Sequence, residues 1–384
     1  MSITTLSQGA QGAQGAQGAQ GAQGAQGAQG AQGAAAVYGA APIGLVTARD
    51  GIAGSARGLF APTQPALGDA GNLKLWPEWC RRHVLLGEIL SRVSYRPVEN
   101  GVALDLLALS SGGDGGGAAL QPTLLPLATI IRPDPKDFAD QAPLVLSYAD
   151  LRLDRAQEIV DQIAGCVPYF AAILPLVPER TRYTLELLGL VQDVAVHLAQ
   201  SCKHVLACLR PHAFSAQLQP MIGTPGHSAL PSGHATESFA LAETLRLLLV
   251  GPGTEPEAAA QLRDMLMAQA ARIAVNRTVA GLHFPADSFA GAFLGIVAAR
   301  LVAARAGQAA PPAGAHFDGR GIGSTDFYLA QVWDHGTQSM LEWPGNEATA
   351  GFTLRYGTDD AQGGQTLHSD TVAWLWARAG DEWP

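Results

Sequence analysis

Charge is scarce in this chain: 15% of its 384 residues are Asp, Glu, Lys or Arg, and the balance is acidic, with a formal net charge of −9. No basic run is present, which argues against a nucleic-acid partner or an anionic bilayer surface, so any cationic site must be local. Cysteine is sparse as well. Cys80, Cys166, Cys202 and Cys208 are too few for a disulfide framework, and Cys202 and Cys208 point to different sides of one expected helix, so reduced, buried thiols are expected. Long apolar runs are missing. The longest stretches, Cys166 to Pro178 and Phe289 to Ala299, fall short of the roughly 20 residues that cross a bilayer, and Arg300 ends the second, so no membrane span is expected. The N-terminus lacks the basic start and apolar core of a secretory signal, which makes a cytoplasmic location the expectation.

What is present is 47% hydrophobic content, enough for one large core or two moderate ones. Residues 1–36 carry a Gly-Ala-Gln repeat over 9–32; it has the collagen period without proline and reads as a disordered tail. Residues 37–125 are expected to wrap the surface. Within them Pro77 to Val93 has helical spacing closed by Arg96-Pro97, and Ser110 to Gly117 is a glycine-rich connection without the Lys-Ser/Thr of a phosphate loop. Residues 126–305 read as a helical bundle with no alternating strand pattern. Its longest helix spans about 181–209, where Leu185, Leu188, Val191, Ala195, Leu198, Cys202, Leu206 and Leu209 form one stripe. Residues 306–322 read as a linker. The tail, 323–384, holds five of the seven tryptophans, Trp333, Trp343, Trp374, Trp376 and Trp383; docking on the bundle is favoured over a partner interface such as a homodimer. The fold class expected is mainly α.

Three clusters lie within the bundle: Lys203-x6-Arg210-Pro211, Pro231-Ser-Gly-His234, and Arg277-x5-His283-x3-Asp287. Two helical turns separate Lys203 and Arg210, so both cations are expected on one helix face, converging on one anion, with Arg277 adding a second planar fork. Ser232 and Gly233 precede an apolar run and read as a helix start with free N–H groups. His234 and His283 exceed what anion binding needs: one suits nucleophilic attack or ligation, the other proton transfer. Asp287, four residues after His283, can hold one ring nitrogen and direct the other to the ligand.

In this order and spacing the clusters resemble the superfamily of type 2 phosphatidic acid phosphatases, class A bacterial acid phosphatases and vanadium-dependent haloperoxidases. The resemblance implies a helical bundle of that type. It implies that Lys203, Arg210, Ser232, Gly233 and Arg277 hold the oxygens of phosphate or vanadate, that His234 is the acid/base, and that His283 is the phosphorylated nucleophile or the axial vanadium ligand. One departure is Asn276 before Arg277, where the family usually has serine; asparagine can still donate a hydrogen bond. The absence of long apolar runs sets the chain apart from the multi-spanning lipid phosphatases. Its long helical region before the motifs is more similar to bacterial haloperoxidases than to compact secreted acid phosphatases. His227, seven positions before His234, matches a histidine of algal bromoperoxidases near the halide route, which favours bromide or iodide over chloride; Gln200 lies where the chloroperoxidases have tryptophan.

The expected function is therefore halide oxidation by hydrogen peroxide at vanadate. The alternatives are a phosphomonoesterase acting on a small phosphate ester through a phosphohistidine, and a non-catalytic oxyanion binder. Taken singly, each cluster has a plainer reading: Lys203 and Arg210 as a solvated face, His227, His234 and His283 as ordinary structured histidines, Asp287 as a cap. Taken together, three cations, two histidines and a Ser-Gly turn favour a site. A zinc site from His204, Cys208, His212 and His227 is a minor reading, since no paired second motif follows.

Overall fold

The fold is built around an amphipathic helix that is buried from Leu187 through Leu206 along one face, with Leu185 half-buried and Leu209 exposed beyond its end, and whose last turn delivers Lys203 to the interior. The computed structural model describes residues 63–111, 120–250, 255–340, 351–353 and 367–383. The Gly-Ala-Gln tail, residues 37–62, most of the glycine-rich connection and Trp343 lie outside them. Two compact units are resolved, 1–81 and 82–384, with the division inside helix α1 (Glu78–Leu90). The second unit carries everything that follows.

After α1 come three antiparallel strands, β1 (Val93–Val98), β2 (Gly101–Ser111) and β3 (Leu120–Ile131). Helices α2 (Pro135–Tyr148), α3 (Arg152–Asp161), the single turn α4 (Val167–Phe170) and α5 (Arg182–Leu206) lead into α6 (Gly233–Leu249), α7 (Pro256–Val279) and α8 (Pro285–Arg305). Strands β4 (Ala315–Asp318), β5 (Trp333–Asp334), β6 (Ser339–Met340) and β7 (Gly351–Thr353) precede the last helix, α9 (Asp370–Gly380). The main sheet runs β1-β2-β3-β4-β7, with β4 parallel to β3 and the other pairs antiparallel. Mainly α is the right class, with a sheet laid on α5 and α8.

That sheet corrects the sequence reading in three places. Arg96 and Pro97 do not close a helix; they lie in β1, and α1 already stops at Leu90. Strand β3 crosses the boundary drawn at 125/126. Residues 102–106 of β2 are buried throughout, so no alternation marks the strand, and Pro126 of β3 sits where the register shifts beside Asp105, a bulge that accepts a residue without an N–H. Residues 306–322 are not a simple linker either. Ala315 and Phe317 are buried, β4 pairs with β3, and the Phe317 ring lies 6.2 Å from that of Phe293.

Helix α8 is long and apolar enough to cross a membrane by length and composition, yet 94% of its apolar window is buried inside the bundle. The helix runs on past Arg300, which interrupts the apolar stretch and whose guanidinium reaches Glu243 of α6 at 2.8 Å. The α6–α8 contact is close because two glycines face it. A Cβ at Gly291 would lie 2.8 Å from the Ser232 carbonyl oxygen, and one at Gly295 2.5 Å from that of Thr236. This approach sets the start of α6 against the start of α8.

The tail docks on the bundle. Trp333 and Trp376 are buried, Trp333 Nε1 donates to Asp264 at 2.7 Å, and the Trp374 ring meets Tyr183 edge-on at 5.8 Å. Thr181 makes no side-chain cap for α5; Glu382 supplies one from the tail, its carboxylate accepting from the Tyr183 and Thr184 amides at 2.8 Å each. A carboxylate on first-turn amides satisfies orphan donors and the helix dipole together, so Glu382→Ala is expected to lower unfolding free energy by about 1–2 kcal/mol. Urea denaturation reads this directly; an unchanged midpoint would contradict the cap.

Candidate functional site

Three loops at the ends of α5, α6 and α7 meet at one place, and hydrogen bonds cross-link all three clusters. Helix α5 ends at Leu206, earlier than the spacing suggested, because Ala207 takes a left-handed φ of 51° and Pro211 disfavours helix at Arg210. Lys203 and Arg210 therefore do not share a helix face. Lys203 lies in the last turn, and Arg210 follows on extended backbone, which still brings both inward.

Lys203 Nζ donates to the carbonyls of Ser228 and Ala229 at 2.9 and 2.7 Å, joining the first cluster to the segment before Pro231. Arg210 donates through Nε to the His227 carbonyl (3.1 Å), and through Nη1 to the Leu282 carbonyl (3.0 Å) and His283 Nε2 (3.3 Å), joining the first cluster to the third. The Ser232 amide donates to the Asp287 carbonyl at 2.8 Å, joining the second to the third. Ser232 caps α6, its Oγ accepting from Ala235, which leaves the first-turn amides of Gly233 and His234 without intrahelical acceptors.

Donor rules fix the tautomers. Arg210 can only donate, so His283 Nε2 must accept, and the ring proton sits on Nδ1, which donates to Asp287 Oδ2 at 3.0 Å. The same carboxylate oxygen accepts the Phe284 amide at 3.0 Å, so Asp287 both orients His283 and caps α8. His234 Nε2 donates to the Gln162 carbonyl at 3.0 Å, which leaves Nδ1 as its free lone pair. Burial and the surrounding cations hold these rings neutral: His234 is pushed down to about 3, with Arg277 as its main charged neighbour, His227 down to about 4, and His283 well below its ordinary value, with Arg210 and Lys203 beside it.

Arg277 lies in the last turn of α7 and is fully buried. Beyond it, Gly281 turns the chain at a φ of 75°, and a Cβ there would come within 2.7 Å of the Arg152 guanidinium, which clamps the turn by donating to the Val279 and Gln219 carbonyls. Nη2 of Arg277 donates to Gln162 Oε1 at 2.6 Å and to the Ile159 carbonyl at 3.2 Å, whereas its Nε and Nη1 are buried with no partner. Asn276, in place of the usual serine, donates to Glu158 and Gln162 at 3.0 and 3.2 Å and accepts from Arg155, so the departure is absorbed into a frame around Arg277.

Lys203, Arg210 and Arg277 are 2%, 5% and 0% exposed, and among the described residues none is ion-paired with a carboxylate. A buried charge without an ion-pair partner costs several kcal/mol, a cost that an entering anion would offset. His227 stands at one wall: its Nδ1 lies 3.2 Å from the Ser228 carbonyl and 3.3 Å from Arg210 Nη2, and it lines a cleft of about 330 Å³ with Gln200, Lys203, His204, Ala207 and Ser228. His204 shares the cleft, but among the described residues no three His, Cys, Asp or Glu side chains gather as a metal site. All four cysteines are free thiols; Cys80 is half-buried and the others buried.

Residues 184–309, which contain all three clusters, match the family model described as the PAP2 superfamily. The match supports membership of that superfamily. Comparison with curated proteins gave no match. The match suggests phosphoryl or oxyanion chemistry of the phosphatase or haloperoxidase kind.

Two residues of the site carried no signal in the sequence. Gln162 follows α3 and touches both Arg277 and His234. Glu237 lies one turn into α6, accepting from Gln192 at 2.7 Å, and burial pushes its carboxyl up to about 7 against that bond and the nearby Lys203 and Arg277. A raised folded pKa makes the carboxyl a source of stability that is present at low pH and lost as pH rises from the ordinary carboxylate range through about 7. Glu237→Gln removes that loss, so its melting temperature should gain on the native protein between about pH 5 and about pH 8. A constant difference between the two proteins at both pH values would contradict this.

Proposed function

We propose that this PAP2 protein is a vanadium-dependent haloperoxidase-like enzyme that oxidises halide, bromide or iodide before chloride, with hydrogen peroxide. What supports the oxyanion reading is one observation: three buried cations, none ion-paired with a carboxylate among the described residues, belong to one hydrogen-bond network with a neutral imidazole whose Nε2 accepts only from Arg210, at 3.3 Å. The residues fit vanadate. Arg277 Nε and Nη1 are donors without acceptors, Lys203 and Arg210 bring further charge, and the Gly233 and His234 amides add backbone donors. His283 would be the protein ligand through Nε2, held in that tautomer by Asp287. Bound vanadate would supply the Lewis acidity that makes peroxide electrophilic toward halide.

The chain's own residues do the rest. Lys203, Arg210 and Arg277 offset the oxyanion charge without reorganising. His234 moves protons through Nδ1; its pKa, depressed by burial and by cations, rises once an anion offsets those cations, which puts the ring within reach of its task. His227 borders the cleft and is the residue through which halide selection would act.

The second reading is a phosphomonoesterase, and the His283–Asp287 pair favours it equally: Nε2 attacks phosphorus as the ester P–O bond breaks, His234 delivers a proton to the leaving oxygen, and water then releases phosphate from the phosphohistidine. Anion-depleted protein reconstituted with orthovanadate and assayed with bromide and peroxide, beside a phosphate-ester assay without vanadate, separates the two. Halide oxidation only after loading supports the first reading; ester hydrolysis without vanadate and no halide oxidation overturns it in favour of the second. Anion binding with neither activity would leave a non-catalytic oxyanion binder.

A further inference from the structure

Gln162 is fully buried at the end of α3, and it meets the site from both of its ends. Its backbone carbonyl takes the His234 Nε2 proton at 3.0 Å. Its side-chain oxygen accepts from Arg277 Nη2 at 2.6 Å and from Asn276 Nδ2 at 3.2 Å. Two donors converging on that oxygen fix the amide's orientation, since the flipped form would set N–H against N–H. The amide nitrogen is left buried with no partner, as are Nε and Nη1 of the adjoining Arg277. A buried donor without an acceptor costs about 1–3 kcal/mol, so three on two touching side chains point to an acceptor that arrives with a ligand.

The residue type matters as much as the place. A glutamate here would pair with Arg277 and cancel the charge that the anion needs. Glutamine, of the same length, holds the guanidinium by a single neutral oxygen and leaves its charge uncompensated. The frame beyond it confines the acidic charge to the far side: Glu158 is ion-paired with Arg272 and accepts from Asn276, so it does not reach Arg277.

We propose that Gln162 is part of the oxyanion site, its uncharged amide orienting Arg277 without neutralising it and its free N–H₂ donating to the same anion. This rests on the oxyanion reading above and extends it to a residue outside the three clusters. Gln162 is thereby also a positioning residue for His234, through the carbonyl that fixes that ring's tautomer.

The test titrates the full chain, freed of bound anions, with orthovanadate and separately with inorganic phosphate, following affinity by calorimetry and the melting temperature with and without anion. Gln162→Glu should bind at least about tenfold more weakly, while its anion-free melting temperature stays level or rises because Arg277 has gained a counter-charge. Gln162→Met, which removes the donor and adds no charge, should lose about tenfold in affinity and decides the matter if the glutamate variant fails to fold. Native-like affinity in both folded variants, or in Gln162→Met alone if Gln162→Glu does not fold, overturns the proposal while leaving the oxyanion reading intact. If the native protein binds neither anion, the oxyanion reading itself falls, and the role of Gln162 with it.

Discussion

Arg277→Leu should bind orthovanadate at least roughly 100-fold more weakly than the native protein, because truncating one side of a buried, charge-assisted contact costs about 2–5 kcal/mol. The same substitution should do little harm to the anion-free fold. Two effects oppose each other there. Removing the guanidinium leaves the Gln162 oxygen with Asn276 as its donor and takes one donor from the Ile159 carbonyl, at about 1–3 kcal/mol for a buried group left unpaired. It also removes a fully buried charge with no counter-ion, whose desolvation costs several kcal/mol. The sum is near zero or stabilising. The signature is therefore a native-like melting temperature without anion, together with loss of the rise that orthovanadate produces in the native protein. A variant that melts far lower without anion would mean that Arg277 is held for the fold rather than for a ligand.

His283→Ala should abolish turnover under either enzymatic reading, by roughly 10⁴-fold or more, the scale on which removal of a nucleophile acts. Phosphate affinity should fall far less, since Lys203, Arg210, Arg277 and the first-turn amides of α6 remain. This split between binding and chemistry is what separates a catalytic imidazole from a buried structural one. The fold should tolerate the change, because Asp287 keeps the Phe284 amide and continues to cap α8. Retained turnover in the alanine variant would remove His283 from the chemistry, and equal losses of affinity and turnover would make it a binding residue only.

Much of the site was legible because its residues are chemically unusual where they stand. Lys, Arg and His at fixed intervals at the ends of apolar helices have few plain explanations once all three clusters are taken together, and hydrogen bonds link Lys203, Arg210, His283 and Asp287 and, through Gln162, His234 and Arg277. Arg210 leaves the helix face that its spacing from Lys203 predicts. Seven residues span two helical turns only if the helix continues, and Ala207 and Pro211 stop it first. The sheet was missed because β2 is buried over residues 102–106 and β3 carries two prolines, so neither shows the period-two pattern that betrays a strand. Gln162 and Glu237 were missed for another reason. A glutamine at a helix end and a glutamate within an amphipathic helix are ordinary in sequence, and only burial beside Arg277 gives them meaning. The tryptophans of the tail announced docking by density alone, and Trp333 and Trp376 do pack on the bundle.

The claim on which everything else depends is that Lys203, Arg210 and Arg277 enclose a place for one small oxyanion at His283. Calorimetric titration of the anion-free protein with orthovanadate, repeated in the presence of inorganic phosphate, measures it most directly. One site per chain and mutual exclusion of the two anions are expected. Simultaneous binding of both, or heats no different from dilution, would contradict that claim.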